Sequence, residues 1–186
     1  VAADPLYTAS YIGVNGGMVC AVADDPGMHS SQNEQDSRNY AIAAKLPMLE
    51  PSDSTECRDF TKLAYELSET FDAPVILRLS TRISHSRSVV ELGERKELEL
   101  RPYEKNPQKN VMLPAFAKPK HVLVEERTRK LTAWAETCEI NRIEDNGAKI
   151  GVIAAGSVYQ YAKEALGDTV NYLKLGMVNP LPVELI

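Results

Sequence analysis

The chain has 186 residues, 44% of them hydrophobic and 25% charged, with a formal net charge of −5. That length holds one domain or two small ones. The acidic balance argues against nucleic acid as a partner, because the densest cationic cluster (Arg127, Arg129 and Lys130) lies among Glu125, Glu126 and Glu136 and reads as a solvated helix face.

No apolar run approaches the roughly 18 residues of a membrane span, and no signal-peptide pattern opens the chain. Cys20, Cys57 and Cys138 are far apart and odd in number. They suit buried thiols in a reducing compartment better than disulfides or a metal site. These features predict a cytoplasmic protein that binds neither nucleic acid nor membrane.

Asp4-Pro5, a capping residue followed by proline, starts a helix from Pro5 to about Val14, closed by Asn15-Gly16-Gly17. Met18 to Ala23 is a short apolar strand bounded by glycines in front and Pro26-Gly27 behind. A second helix is predicted over about 35–45, and Met48-Leu49-Glu50 is a brief strand. Asp53, with Glu56 three residues on, is a variant of the capping box. The helix it opens carries Phe60, Leu63, Ala64, Leu67 and Phe71 as one apolar stripe and stops at Asp72 and Pro74. Val75-Ile76-Leu77-Arg78-Leu79 is the next strand.

Residues 89–117 are charged, contain Pro102, Pro107 and Pro114 and show no sustained period, so they read as a linker or extended arm. A long helix follows from about Lys118 to Glu139, with Val124, Leu131, Trp134, Ala135 and Cys138 towards the interior. Past Gly147 a second unit begins: strand 149–155, turn Gly156-Ser157, helix Val158–Leu166, and strand Val170–Leu175. Helices alternating with short apolar strands imply an α/β fold built on parallel sheets. Both termini read as cuts in a longer polypeptide, since Val1-Ala2-Ala3 runs straight into a helix signal and Pro182 would open another helix.

The most informative stretch is the polar run Asp24 to Arg38. It follows the first strand, and ligands of parallel sheets sit where loops leave the carboxyl ends of strands. If the strands ending at Ala23, Glu50 and Ser80 are parallel, the loop residues His29, Ser30, Ser31, Gln32 and Asn33 converge with Glu50 and a loop from Thr81 to His85 on one rim. Arg38 and Arg82 are the cations available to a carboxylate there. Alternatives stay open: Arg82 could pair with Glu50 or another surface acid, His85 could be solvated, and the polar run could be a surface turn. His121 reads as a surface residue. Gly151 to Gly156 lacks the three-glycine spacing of a dinucleotide loop.

The string Gly27-Met28-His29-Ser30-Ser31-Gln32-Asn33-Glu34-Gln35-Asp36-Ser37-Arg38 resembles a loop in the large subunit of indolepyruvate ferredoxin oxidoreductases, which are thiamine-diphosphate-dependent 2-oxoacid:ferredoxin oxidoreductases. The resemblance continues through Leu46 to Asp53, Pro74 to Arg82 and Leu173 to Pro182, and is weakest from about Glu91 to Lys118. It implies a three-layer parallel sheet of the thiamine-enzyme pyrimidine-binding type, then a linker and the start of a transketolase C-terminal-like domain. The corresponding boundaries are 1–88, 89–145 and 146–186.

The resemblance further implies oxidative decarboxylation of an aryl 2-oxoacid such as indolepyruvate to an acyl-CoA, with ferredoxin as acceptor. The parent assembly would then use thiamine diphosphate, magnesium, iron–sulfur clusters, coenzyme A and a smaller partner subunit. It puts His29 to Asn33 near cofactor and substrate. An arginine of the related pyruvate enzymes falls at Asn33, and their Arg-Thr-Ser-His string matches Arg82, Ser84 and His85 but not Ile83. The chain has neither a Gly-Asp-Gly diphosphate motif followed by a metal-binding Asn nor a Cys-x-x-Cys pair. The family's glutamate that protonates the aminopyrimidine would lie upstream. This segment alone is therefore expected to hold no catalytic residue, metal or cofactor and to be inactive. The competing readings are another thiamine-dependent 2-oxoacid oxidoreductase or decarboxylase, and a non-catalytic subunit-docking module.

Overall fold

A computed structural model describes residues 2–95, 97–100 and 102–186. Val1 at the predicted cut start, and Lys96 and Arg101 in the predicted arm, lie outside the described residues. The first sheet has the order β1 (Val19–Asp24), β3 (Val75–Ser80), β2 (Met48–Leu49), β7 (Met177–Asn179). β1 and β2 run parallel to β3, with Asp24 opposite Ser80, while β7 runs antiparallel to β2. The sheet is therefore mixed, not wholly parallel. Three residues after Gly176 are too short for a periodic signal, so sequence reading missed β7.

Helices cover both faces. Leu6 of α1 (Ala3–Ile12) and Ala41 and Ala44 of α2 (Arg38–Ala44) pack with Met48 and Ile76. Phe60, Ala64 and Leu67 of α3 (Ser54–Phe71), with Leu131 and Ala135 of α6 (Pro114–Thr137), pack on Leu49, Val75, Leu77 and Met177. The alternation along β3 assigns Val75 and Leu77 to one layer and Ile76 to the other. Trp134 packs against the second cluster, as the helical spacing predicts.

α3 begins as its sequence suggests, with Asp53 accepting from the Glu56 N–H at 2.8 Å. The Glu56 carboxylate is not spent on the cap residue itself. It accepts from the N–H and hydroxyl of Ser52, both at 2.8 Å, and from the fully buried ammonium of Lys174. Burial pushes the Lys174 ammonium pKa down, and Glu56 opposes the shift.

Other elements depart from the prediction. Thr81–His85 is a short helix, α4, and not a loop. Its signal is Ser80, whose hydroxyl accepts from the Ile83 N–H at 3.5 Å as a helix cap. The predicted arm contains α5 (Pro107–Asn110), and α6 starts at Pro114, four residues early, because proline is tolerated in a first turn. Arg127 is not solvated: its guanidinium donates to the carbonyls of Ser10 and Asp72 at 2.9 and 3.2 Å. It thereby ties α6 to the carbonyl ends of α1 and α3.

The second sheet has the order β4 (Arg142–Glu144), β6 (Asn171–Leu175), β5 (Gly151–Ala155). β5 and β6 are parallel and joined by α7 (Gly156–Leu166), whereas β4, inside the stretch expected to be linker, pairs antiparallel with β6. The turn predicted at Gly156-Ser157 is already helical. The two sheets meet through Gly176, whose carbonyl accepts from the Glu50 N–H at 2.8 Å. A Cβ at Gly176 would lie 2.6 Å from the Ile140 carbonyl oxygen. Among the described residues no helix is long and apolar enough to cross a membrane.

Candidate functional site

Because β1, β3 and β2 are parallel, Asp24-Asp25, Ser80-Thr81 and Glu50-Pro51 leave the sheet at the same end. The polar loop and α4 therefore share one rim, and they touch: the Thr81 hydroxyl donates to Asp25 Oδ1 at 2.7 Å.

Asp25 organises the loop. Its carboxylate accepts from the N–H groups of His29, Ser30 and Ser31 at 3.1, 2.7 and 2.9 Å. The Ser30 N–H and the Thr81 hydroxyl, against the opposing effect of burial, hold its carboxyl pKa well below the usual aspartate range. Met28 sits in the left-handed region at φ 56°, a conformation costing about 1–2 kcal/mol for a side chain with a Cβ. The three donated bonds that follow offset it. His29 folds back over Gly27 and is exposed. The Ser30 hydroxyl also donates to Asp25, at 3.4 Å, whereas the amides of Gln32 and Asn33 are exposed and without a hydrogen-bond partner among the described residues.

Asp24 and Glu50 are buried below this loop, at 2% and 8% exposure, and Arg78 from mid-β3 lies between them at 4%. Arg78 Nε donates to Asp24 at 2.6 Å and another guanidinium nitrogen donates to Glu50 Oε1 at 2.7 Å. A further edge lies 3.7 Å from Asp36. Asp24 also accepts from the N–H and hydroxyl of Ser37 at 2.7 and 2.6 Å, which pins the far end of the loop. Arg78 is the residue that sequence reasoning missed. Its signal was present, since one arginine inside Val-Ile-Leu-Leu must be buried and paired.

Of the two cations expected to serve a carboxylate, Arg38 is engaged, donating to both oxygens of Asp36 at 2.8 Å. Arg38 in turn lowers the Asp36 pKa. Arg82 is exposed on α4 and does not pair with Glu50, whose partner is Arg78. His85 is exposed at the end of α4, and Ser84 beside it is exposed too.

The second unit closes over the rim from one side. Gly156, at φ 54°, starts α7 so close to Glu50 that a Cβ there would lie 2.5 Å from Oε1. Glu50 Oε2 is buried without a hydrogen-bond partner among the described residues. The same set contains no group of three or more His, Cys, Asp or Glu side chains arranged to hold a metal ion.

No protein-family model matches the chain. Over its whole length it is 45% identical to the indolepyruvate oxidoreductase subunit IorA of Archaeoglobus fulgidus and 46% identical to that of Pyrococcus horikoshii. The IorA subunit of Methanothermobacter marburgensis is 44% identical. The chain spans only 30–31% of the length of these relatives, so the match is to a segment of each. A solved 2-oxoglutarate:ferredoxin oxidoreductase from Magnetococcus marinus, with 2-oxoglutarate, coenzyme A and succinyl-CoA bound, shares the fold. The TM-score is 0.57 at 16% identity, covering 98% of this chain and 45% of that one.

Proposed function

We propose that this chain is a segment of the large subunit of an indolepyruvate:ferredoxin oxidoreductase, and that its rim of loop 28–33 and α4 forms one wall of the 2-oxoacid site. The observation that carries the reading is the division of labour at Asp25. Three main-chain donors, with the Thr81 and Ser30 hydroxyls, saturate it and fix the loop, leaving the Gln32 and Asn33 amides unspent at the carboxyl ends of parallel strands. The full-length match to a segment of three IorA subunits supports the choice of substrate.

In this reading residues 1–88 are the remainder of a thiamine-enzyme pyrimidine-binding domain. Residues 89–145 are linker and long helix, and 146–186 begin a transketolase C-terminal-like domain. The reaction joins an aryl 2-oxoacid to coenzyme A with loss of carbon dioxide, and passes two electrons to ferredoxin.

The rim fits hydrogen bonding to a polar ligand edge, with His29, Ser30, Ser31, Gln32 and Asn33 as the groups of this chain that would face cofactor and substrate. Thiamine diphosphate would supply the electron sink for the carbanion left by decarboxylation. Arg82, exposed beside the loop, would meet the substrate carboxylate, and Arg38 would do so only by leaving Asp36. The magnesium–diphosphate anchor and the iron–sulfur clusters belong, in this reading, to other parts of a cytoplasmic assembly that includes a smaller subunit. This segment alone is expected to be inactive.

The test is viologen reduction by the purified full-length subunit with its partner subunit, supplied with thiamine diphosphate, magnesium and coenzyme A. Indolepyruvate should be turned over in preference to pyruvate and 2-oxoglutarate. A preference for 2-oxoglutarate, or no turnover of any 2-oxoacid, would sink the reading.

A further inference from the structure

A cavity of about 700 Å³ lies at the other end of the first sheet from the rim, and its volume is that of a small-molecule site. Ile12 closes α1 ahead of β1, and Phe71 and Asp72 end α3 ahead of β3, so these walls stand where the strands begin. α6 supplies another wall with Phe116, Lys120, Leu123 and Arg127, and α5 contributes Lys109. Three cations meet there, and little of their charge is neutralised. Lys120 is buried, and its ammonium donates to the carbonyls of Tyr11 and Lys109. Arg127 donates to the carbonyls of Ser10 and Asp72 and, at 2.8 Å, to the Ser10 hydroxyl. Its Nε is buried without a hydrogen-bond partner among the described residues. Of the three, only Lys109 meets a carboxylate among those residues: its ammonium donates to Asp72 Oδ1 at 2.7 Å, and also to the Val14 carbonyl.

The carboxyl ends of α1 and α3 add about half a negative charge each, and Glu126 and Lys130, also on the lining, offset one another. The cavity therefore keeps a positive balance, and a concave wall of one sign concentrates counter-ions. Burial lowers the pKa of Lys120 and of Arg127, with Asp72 opposing the shift, a desolvation cost that a bound anion offsets. Donor geometry selects the anion. The Arg127 fork is spent on two carbonyls, so it offers no bidentate clamp for a carboxylate. Each lysine has two acceptors for three N–H groups, leaving one donor apiece from two different elements. Separate point charges suit a phosphoryl group, and Ile12, Phe71, Phe116 and Leu123 supply an apolar wall beside them. We infer that this cavity binds a phosphate monoester, its phosphoryl group between Lys109 and Lys120 beside Arg127 and its organic part against Phe71 and Phe116. The inference does not rest on the proposed activity.

The test is calorimetric titration of the full-length subunit with its partner, saturated with thiamine diphosphate and magnesium. Phenyl phosphate should bind saturably and roughly tenfold more tightly than inorganic phosphate, because its ring buries apolar area. Phenol, which has the ring without the charge, should not bind. Lys109→Gln and, separately, Lys120→Gln should each weaken phenyl phosphate roughly tenfold. Lys109 stands on the four-residue α5, so its variant remains a test if the buried Lys120 proves necessary for folding. Alanines at Ser31, Gln32 and Asn33 should leave this affinity unchanged, whatever they do to turnover. Absence of saturable binding, equal affinity for inorganic phosphate, or full affinity in the Lys109→Gln protein would overturn the inference. So would an affinity lost only in the rim variant, which would put the ester at the rim.

Discussion

Replacing Arg78 by methionine keeps the length of the side chain and removes the one buried cation between Asp24 and Glu50. All three groups are at least nine-tenths buried, so water cannot take over the lost bonds. Breaking a buried ion pair by removing one partner costs about 3–5 kcal/mol. For a chain of this size each kcal/mol moves the melting temperature by about 2–4 °C, so Arg78→Met should lower it by roughly 10 °C. Arg78→Lys keeps the charge but loses the fork that reaches two carboxylates at once, and should fall between the two. Adding Asp24→Asn and Glu50→Gln to Arg78→Met leaves no unpaired charge and should recover part of the loss. Thermal and urea unfolding of the four proteins measure this. An Arg78→Met protein within about 0.5 kcal/mol of the parent, the range of ordinary surface substitutions, would refute the claim that this cluster holds the rim.

Two further outcomes follow from the same region. The Asp25 carboxyl pKa is depressed in the folded state, so its contribution is complete above the ordinary aspartate value and is lost as pH falls below it. The stability gap between parent and Asp25→Asn should therefore be constant near neutrality and narrow from about pH 4 downward, and a gap that widens in acid would contradict the assignment. Gly156→Ala forces a Cβ into the left-handed region and against Glu50, and should destabilise by about 1–3 kcal/mol in chemical denaturation; a neutral substitution would show that α7 can shift away from the rim.

Much of the fold was legible where the residues act locally. The Asp53 cap, the Phe60–Leu67 stripe and the run Val75 to Leu79 each declare themselves within one turn or strand. The shared rim was legible because parallel strands separated by helices must end together. What escaped depends on partners distant in sequence. Arg78 makes sense only with Asp24 and Glu50, and β7 is three residues whose identity as a strand comes from β2. Arg127 looked solvated among its sequence neighbours, yet its carbonyl acceptors come from α1 and α3. Likewise the sequence displayed Arg38 as an available cation, while the structure commits it to Asp36.

In the proposed function the side chains of loop 28–33 serve a ligand and not the fold. The direct measurement is Ser31→Ala/Gln32→Ala/Asn33→Ala in the full-length subunit with its partner, with steady-state kinetics of the proposed reaction and thermal unfolding on the same preparation. Of these three residues only Ser31 bonds to Asp25, through its main-chain N–H, which survives the substitution, so stability should change by about 0.5 kcal/mol or less. Hydrogen bonds to a charged ligand are worth about 1.5–3 kcal/mol each, and roughly 1.4 kcal/mol is tenfold in rate, so kcat/KM for indolepyruvate should fall about a hundredfold. Parent-like kinetics would contradict the claim, as would a fall in melting temperature large enough to account for the lost activity.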